Sequence, residues 1–182
     1  MKSKKNMTVQ DWNEYYATCP DVLDRRLLHR HKILPKVIGA PHSILDVGCG
    51  AGEGLMETRK LFPKALLWGV DFSGEAIRVC QERMPLGSMF RQYDITREDL
   101  PFRADLVMCV QTLEHFVPHQ IPWIMARLFR ATKHQLLISV PSGGTLPDKD
   151  HKTVFTERSF MGLSPDIVSV ESMHLTFGWT RR

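Results

Sequence analysis

The stretch Ile44-Leu45-Asp46-Val47-Gly48-Cys49-Gly50-Ala51-Gly52-Glu53-Gly54 decides the fold of this chain. It begins as a short apolar run, continues with four glycines at alternate positions and leads into an amphipathic segment of helical length. Glycine lets the backbone turn sharply and lets a ligand lie against it without interference from a Cβ atom. The stretch therefore predicts a buried strand, a nucleotide-binding turn and a helix, in that order.

The spacing of these glycines separates two classes of nucleotide ligand. Dinucleotide-binding turns follow the pattern G-x-G-x-x-G, which receives a pyrophosphate at the start of the helix. In this chain the third glycine of that pattern is replaced by Glu53. A carboxylate at the start of the helix would repel a pyrophosphate but not a cationic sulfonium. The spacing thus favours S-adenosylmethionine over NAD.

The rest of the chain extends this strand–turn–helix pattern. Four more short apolar runs follow SILDVG, namely ALLWGVD, SMFRQYD, ADLVMCV and QLLISVP. Helix-length segments are expected at 52–62, 73–84 and 119–132, with a short helical piece near Arg97. Runs as continuously apolar as LVMCV are typical of strands buried on both faces of a parallel sheet. This alternation predicts an α/β fold with a doubly wound, mostly parallel sheet and helices on both faces.

The carboxyl-terminal stretch DIVSVESMHLTFGWTRR departs from the alternation. It contains two apolar runs with no room for a helix between them. A parallel pair of strands requires a crossover of a dozen or more residues, so these two strands are expected to be antiparallel. The sheet is therefore predicted to finish in an antiparallel hairpin.

The segment before the first strand is predicted to be helical, from Thr8 to about Ile38. Leucines and isoleucines recur there at near-helical spacing, and Pro20 suits a first helical turn. Ahead of the helix that would begin near Pro20, Trp12, Tyr15 and Tyr16 form an aromatic cluster on a shorter helix.

Composition places the chain among ordinary globular proteins. It has 182 residues, 43% of them hydrophobic and 24% charged, with a net charge of +4. No apolar run approaches the length that crosses a membrane, and the basic amino terminus is followed by polar residues rather than by a signal sequence. The four cysteines are widely spaced and form no zinc-binding pattern. We therefore expect a cytoplasmic protein with no membrane partner and reduced thiols.

At family level, ILDVGCGAGEG resembles motif I of the class I S-adenosylmethionine-dependent methyltransferases. The order of elements resembles their seven-stranded Rossmann-like sheet, including the terminal hairpin, and L-E-H at 113–115 resembles a motif of the small-molecule branch. The resemblance implies one domain over residues 1–182, with a helical lid at 1–42 and a Rossmann-like core at 43–182. It also implies a methyltransferase that converts S-adenosylmethionine to S-adenosylhomocysteine.

The resemblance assigns roles to individual positions. Asp71 would accept hydrogen bonds from both ribose hydroxyls, a role that suits a carboxylate. Asp94 would accept from the adenine amino group, and Gln111 would lie near the methionine end. The full set implied for the cofactor is Asp46, Gly48, Gly50, Gly52, Asp71, Phe72, Asp94, Ile95 and Gln111.

Two histidines are candidate catalytic residues. His115 follows the fourth strand at the mouth of the predicted cofactor site, where an imidazole could remove a proton from the acceptor. His151 lies in the region after the fifth strand, where a Gly/Pro/Asp-rich loop could close over the substrate. Structural packing remains open for both. His115 and His119 are four residues apart, but Pro118 disfavours a helix there and no third ligand is evident, so no metal site is predicted.

Missing motifs narrow the methyl acceptor. No D/N-P-P-Y/F motif and no Pro-Cys pair follows the fourth strand, which argues against methylation of nucleic-acid bases. The main hypothesis is O- or N-methylation of a small molecule. One alternative is an RNA or protein acceptor held by Lys2, Lys4, Lys5 and the basic stretch Arg25–Lys36. Another is a non-catalytic module that only binds S-adenosylmethionine. The aromatic cluster at Trp12 could be a lid over the site or packing for its helix.

Overall fold

The computed structural model describes residues 8–18, 33–84, 86–142, 151–171 and 174–181. A single seven-stranded sheet organises these residues, in the order β3-β2-β1-β4-β5-β7-β6. The strands are β1 (Ser43–Val47), β2 (Leu66–Asp71), β3 (Ser88–Gln92), β4 (Ala104–Val110), β5 (Thr132–Pro141), β6 (Ile167–Glu171) and β7 (His174–Thr180). The helices are α1 (Val9–Thr18), α2 (Glu53–Leu61), α3 (Gly74–Arg83) and α4 (Ile121–Ala131).

The predicted fold class is confirmed. Strands β1 to β5 pair in parallel, whereas β7 pairs antiparallel with both β5 and β6. The carboxyl-terminal stretch therefore forms the expected hairpin. Its second strand, β7, lies between β5 and β6. The same hairpin brings His174 beside Pro141, at the end of β5.

Two apolar clusters form the core on opposite faces of the sheet. Neighbouring residues of a strand point to opposite faces, so Leu45 belongs to one cluster and Ile44 to the other. Helix α4 covers the first face with Ile124 and Leu128, and Leu55 of α2 packs on the second. The sheet is thus covered on both faces, as the apolar character of β1 and β4 predicts.

Two predicted helices differ from the structure. The amino-terminal helix was expected to reach Ile38, but a 3₁₀ turn ends at Lys36 and Val37 is extended. Pro35 lies in that turn and has no backbone N–H with which an α-helix could continue. Near Arg97 the chain forms a turn, because Asp94 accepts hydrogen bonds from the N–H and hydroxyl of Thr96.

Helix α1 packs against α3 beside the sheet. Trp12 and Tyr16 are buried there with Ala76 and Val79 of α3. The carbonyl oxygen of the Asn13 side chain accepts a hydrogen bond from Ser73 Oγ over 2.7 Å. Residues 19–32, which include Cys19, Pro20 and most of the predicted basic stretch, lie outside the described residues. Lys36, the last residue of that stretch, forms an ion pair with Glu171.

Candidate functional site

A cavity of about 340 Å³ lies at the carboxyl ends of β1, β2 and β4. The strand order reverses between β1 and β4, and ligands of open α/β sheets bind in the crevice beside such a reversal. Seven of the residues expected at the cofactor or at the acceptor line this cavity. These residues are Gly48, Asp71, Phe72, Asp94, Ile95, Gln111 and His115.

The glycine turn joins β1 to α2 and packs tightly against its neighbours. Gly48, Gly50 and Gly52 all adopt positive φ, at 76°, 56° and 87°. A Cβ atom on Gly48 would come within 2.3 Å of Thr112 Oγ1. Only glycine combines this conformation with so close an approach. Gly48 lines the cavity, whereas Gly50 and Gly52 support the turn behind it.

Asp46 and Asp71 occupy different environments. Asp46 is fully buried within β1, between Gly69 of β2 and Met108 of β4, and is not among the cavity-lining residues. Asp71 ends β2 and lines the cavity. Its Oδ2 accepts a hydrogen bond from Gly50 N over 3.0 Å, and its Oδ1 accepts one from Ser73 N over 2.9 Å.

Asp94 and Ile95 follow β3, the edge strand beside β2, which ends at Asp71. Asp94 Oδ1 accepts from Thr96 N over 2.9 Å, and Oδ2 lies 3.0 Å from Arg97 Nε. Ile95 is buried and presents an apolar wall. Asp94 therefore shapes the turn after β3 and also lines the cavity.

Gln111 has an unusual backbone. It follows β4 with φ of 52°, a left-handed conformation that side-chain-bearing residues rarely adopt. Its N–H donates to Ser139 O over 2.8 Å, and its amide Nε2 lies 3.3 Å from His174 Nδ1. Such strained positions concentrate at binding sites. Here Gln111 both lines the cavity and contacts His174, the first residue of β7.

His115 and His151 lie beside each other at one end of the cavity. His115 ends the 3₁₀ helix Leu113–His115 and lines the cavity, with its ring 5.1 Å from the ring of His151. Trp12 of α1 packs edge-on against His115, with ring centroids 5.2 Å apart. His151 is not among the lining residues. The residues 143–150, expected to form a loop over the substrate, lie outside the described residues.

Comparison with known protein families relates this chain to one of them. Residues 44–135 match the family described as a methyltransferase domain. This chain belongs to that methyltransferase family. The matched region runs from β1 into β5 and contains every expected cofactor residue.

Similar curated proteins are named trans-aconitate 2-methyltransferase. One from Rhodopseudomonas palustris is 28% identical over 142 residues, which cover 78% of this chain and 54% of that protein. One from Paracidovorax citrulli is 27% identical and covers 80% of this chain and 55% of that protein. The chain thus spans about half the length of the curated relatives it matches.

Solved structures share the fold at low sequence identity. The PH0226 protein from Pyrococcus horikoshii superposes with a TM-score of 0.72 at 16% identity, covering 93% of this chain and 99% of that one. Human N-acetylserotonin methyltransferase, solved with its S-adenosylmethionine, gives a TM-score of 0.65 at 14% identity and covers 95% of this chain and 54% of that one. At these identities the comparison supports the methyltransferase fold alone.

The charge effect predicted for Glu53 is not found in this methyltransferase domain. Glu53 was expected to disfavour a pyrophosphate by its charge at the start of α2. Instead Glu53 is buried, and its Oε1 accepts a hydrogen bond from Arg83 Nη1 over 2.8 Å. It is not among the cavity-lining residues. The ion pair with Arg83 neutralises the carboxylate, so Glu53 does not discriminate between ligands by charge.

Several lining residues were not singled out from the sequence. Lys152 follows His151 and lines the cavity, as do Thr112 and Gln120. Glu114 is buried beside His115. Lys152 N donates to Glu114 O over 2.7 Å, a contact between distant parts of the chain that no local pattern reveals. The available signal was that Glu114 directly precedes the candidate His115 in the sequence.

The described cysteines behave as small apolar residues. Cys49, Cys80 and Cys109 are buried and unlinked. A hydrogen bond to Cys80, together with burial, raises the pKa of the Cys49 thiol well above its ordinary value. Cys49, which lies within the glycine turn, therefore stays protonated at neutral pH. Within the described ranges, none of the helices has the length and apolarity to cross a membrane.

Proposed function

We propose that this chain binds S-adenosylmethionine in the cavity beside Gly48 and transfers its methyl group to an oxygen or nitrogen of a small molecule. One observation carries the proposal: the glycine turn after β1 and the Asp71 carboxylate face the same cavity and are joined by a hydrogen bond. Membership of the methyltransferase family supports the proposal independently of this geometry.

The cofactor would extend along the ends of the parallel strands. Asp71 would hold the ribose hydroxyls, and Phe72 would cover one face of adenine, with Ile95 on the other. Asp94 would accept from the adenine amino group. Asp71 presents its carboxylate to this side of the cavity, whereas Asp94 forms an ion pair with Arg97. The methionine part would lie over Gly48 towards Gln111, with Asp46, Gly50 and Gly52 supporting the turn.

The acceptor would enter at the end of the cavity that contains His115. Trp12 and Tyr16 of α1 line the cavity, so the segment 1–42 would act as a lid over the bound ligands. Rate would come mainly from holding the acceptor in line with the methyl–sulfur bond, because the sulfonium is already a strong electrophile. His115 would remove the proton of a hydroxyl or amine acceptor. His151 would act through its contact with His115.

The first acceptor class to test is small carboxylic acids. The curated relatives named above methylate trans-aconitate by their names, and Lys152 places a cationic side chain on the cavity wall near His115. A carboxylate is already ionised at neutral pH, so it needs positioning rather than a base. Lys152 and His115 would supply that positioning.

Calorimetric titration tests cofactor binding. The chain is titrated with S-adenosylmethionine, S-adenosylhomocysteine and NAD. We expect micromolar binding of both sulfur compounds and none of NAD. Failure of both sulfur compounds to bind would remove the proposal. Binding without methyl transfer to any acceptor, including di- and tricarboxylic acids, would favour the non-catalytic module instead.

An acceptor screen with His115→Ala tests the catalytic assignment. The variant should retain cofactor affinity and lose about 100-fold in turnover. His119→Ala is the matched control, because His119 lies four residues away and is exposed. Equal turnover in the two variants would return His115 to a packing role. Methylation of RNA, with binding that weakens steeply as salt rises, would select the nucleic-acid alternative.

A further inference from the structure

Glu114, His115 and His151 form a cluster, and His115 of this cluster lines the cavity. Each offers one ligand atom, and these atoms all lie within 4.8 Å of one another. We propose that the three side chains bind a divalent transition-metal ion beside the cofactor cavity. Binding of the ion stands on this geometry; its part in catalysis rests on the function proposed above.

The backbone holds the three residues in this arrangement. Glu114 and His115 share the 3₁₀ helix after β4, whereas His151 arrives from the segment after β5. Lys152 N donates to Glu114 O over 2.7 Å, and Thr153 Oγ1 donates to Phe116 O over 2.6 Å. These contacts on both sides of the cluster fix His151 against His115. The cluster is therefore built by two segments that are distant in sequence.

The chemistry of the three ligands selects the class of ion. Imidazole suits zinc, iron, nickel and copper, whereas magnesium and calcium prefer oxygen ligands alone. Two imidazoles and one carboxylate with open positions are typical of catalytic zinc and of non-haem iron sites. A tetrahedral zinc with bonds of about 2.0–2.1 Å has its ligand atoms roughly 3.4 Å apart. Small rotations of the side chains would bring atoms now within 4.8 Å to that spacing.

Burial adds a reason for a cation at this place. Glu114 is 1% exposed, and charges buried in proteins are paired or coordinate metals. His115 reaches the cavity from the same cluster, so open positions on the ion are accessible to an acceptor.

A bound ion changes the role of His115. A ring nitrogen that coordinated the ion would not remove a proton, and the ion would supply the acidification of an acceptor hydroxyl instead. The hydroxyl proton would pass to water, and the oxygen lone pair would form the O–CH₃ bond. The CH₃–S⁺ bond would break with its electron pair remaining on sulfur, which would give S-adenosylhomocysteine. A carboxylate acceptor would be oriented by the ion without loss of a proton.

Metal binding is measured on the full chain without an affinity tag. After treatment with a chelator, the protein is titrated with Zn²⁺ by calorimetry and with Co²⁺ by visible absorption. We expect one ion per chain at this site and a cobalt spectrum typical of nitrogen and oxygen ligands. Trp12 packs on His115 at 5.2 Å, so Co²⁺ should also quench its fluorescence.

Three variants make the assignment specific. His151→Ala and Glu114→Gln should each weaken Zn²⁺ binding at least 10-fold, since even outer-shell changes cost this much at metal sites. His119→Ala should bind as the wild type does. His151 provides the decisive variant if Glu114→Gln fails to fold. Equal Zn²⁺ affinity in His151→Ala and in the wild type would overturn the proposal. Loss of Zn²⁺ binding in His119→Ala would overturn it as well.

The same samples separate this inference from the proposed function. Each variant is also titrated with S-adenosylhomocysteine, which reports on the cofactor half of the cavity. Zn²⁺ binding without binding of S-adenosylhomocysteine would leave the metal site standing and remove the proposed function. Binding of S-adenosylhomocysteine with no Zn²⁺ bound would do the reverse, and His115 would keep its role as a base.

Discussion

The carboxylate of Asp71 accepts a hydrogen bond from the backbone N–H of Gly50 over 3.0 Å. This bond joins the end of β2 to the turn after β1, and the other oxygen of Asp71 accepts from Ser73 N over 2.9 Å. One side chain thus holds two backbone segments in place while it faces the cavity. The glycine turn and the candidate ribose ligand therefore form a single structural unit.

Asp71→Asn should weaken binding of S-adenosylhomocysteine by about 10-fold to 100-fold, on the scale of hydrogen bonds to a charged group. The amide keeps only one acceptor oxygen, so either a backbone N–H or the ribose loses its partner. Calorimetry measures the affinity. Asp166→Asn is the matched control, because Asp166 Oδ2 also accepts from a backbone N–H, that of Thr180, far from the cavity. Equal affinities in the two variants would contradict the role of Asp71.

Gly48→Ala should destabilise the fold more than Gly39→Ala. Both glycines have positive φ, 76° and 73°, which costs a side-chain-bearing residue roughly 1–2 kcal/mol. A Cβ atom on Gly39 meets nothing within 4 Å, whereas one on Gly48 overlaps Thr112. Overpacking adds about 1–3 kcal/mol at Gly48. Urea denaturation gives both free energies of unfolding, and equal losses would show that Thr112 moves aside without cost.

Asp105 should make the stability of the fold depend on acid pH. Its Oδ2 accepts from His42 N over 2.9 Å and from Ser43 N over 3.2 Å, which fastens the start of β1 to β4. Burial opposes ionisation, but these N–H bonds and the nearby charge of Lys133 outweigh it and lower the pKa of Asp105 below its ordinary value of 3.8. A lowered folded-state pKa stabilises the fold above the unfolded-state pKa.

This contribution is lost as the pH falls through the folded-state pKa, below about 4. The free energy of unfolding of the wild type should therefore fall in this range more steeply than that of Asp105→Asn, which has no carboxylate at this position. Denaturation at a series of pH values from neutral to acid measures the difference. Parallel curves for the two proteins would show that the ionised form of Asp105 is not favoured by folding.

The sheet could be predicted because its signals are local. Apolar runs such as Ala104–Val110 and the glycines after Val47 mark strands and a turn without reference to the rest of the chain. Candidate ligands were found for the same reason: Asp71 ends β2 and Gln111 follows β4, on either side of β1, and parallel strands bring their ends to one edge. Most of the cavity wall follows from this rule.

Contacts between distant segments could not be predicted in this way. Arg83 neutralises Glu53 across 30 positions, which the local charge pattern did not indicate. The pairing of His151 with His115 depends on hydrogen bonds from Lys152 and Thr153 to the turn after β4. Spacing along the chain instead drew attention to His119, which is exposed. Side-chain clusters of this kind require the folded arrangement of both segments.

Trp12→Ala should speed the release of bound S-adenosylhomocysteine if α1 is a lid. Trp12 is 8% exposed, lines the cavity, and packs against Phe72 and His115. Its removal opens a path from the cavity to solvent, while Asn13 still fastens α1 to Ser73. We expect a dissociation rate about 10-fold higher, since interface changes act mainly on dissociation. Surface plasmon resonance on the immobilised chain measures this rate.

Trp123→Ala is the control for Trp12→Ala, because Trp123 is 72% exposed on α4 and is not among the cavity-lining residues. Its dissociation rate should match that of the wild type. Thermal unfolding of both variants shows how much Trp12 contributes to packing. A Trp12→Ala protein that unfolds at lower temperature but releases the ligand at the wild-type rate would assign the aromatic cluster to packing of α1 on α3. Faster release with α1 still docked would assign it to the lid.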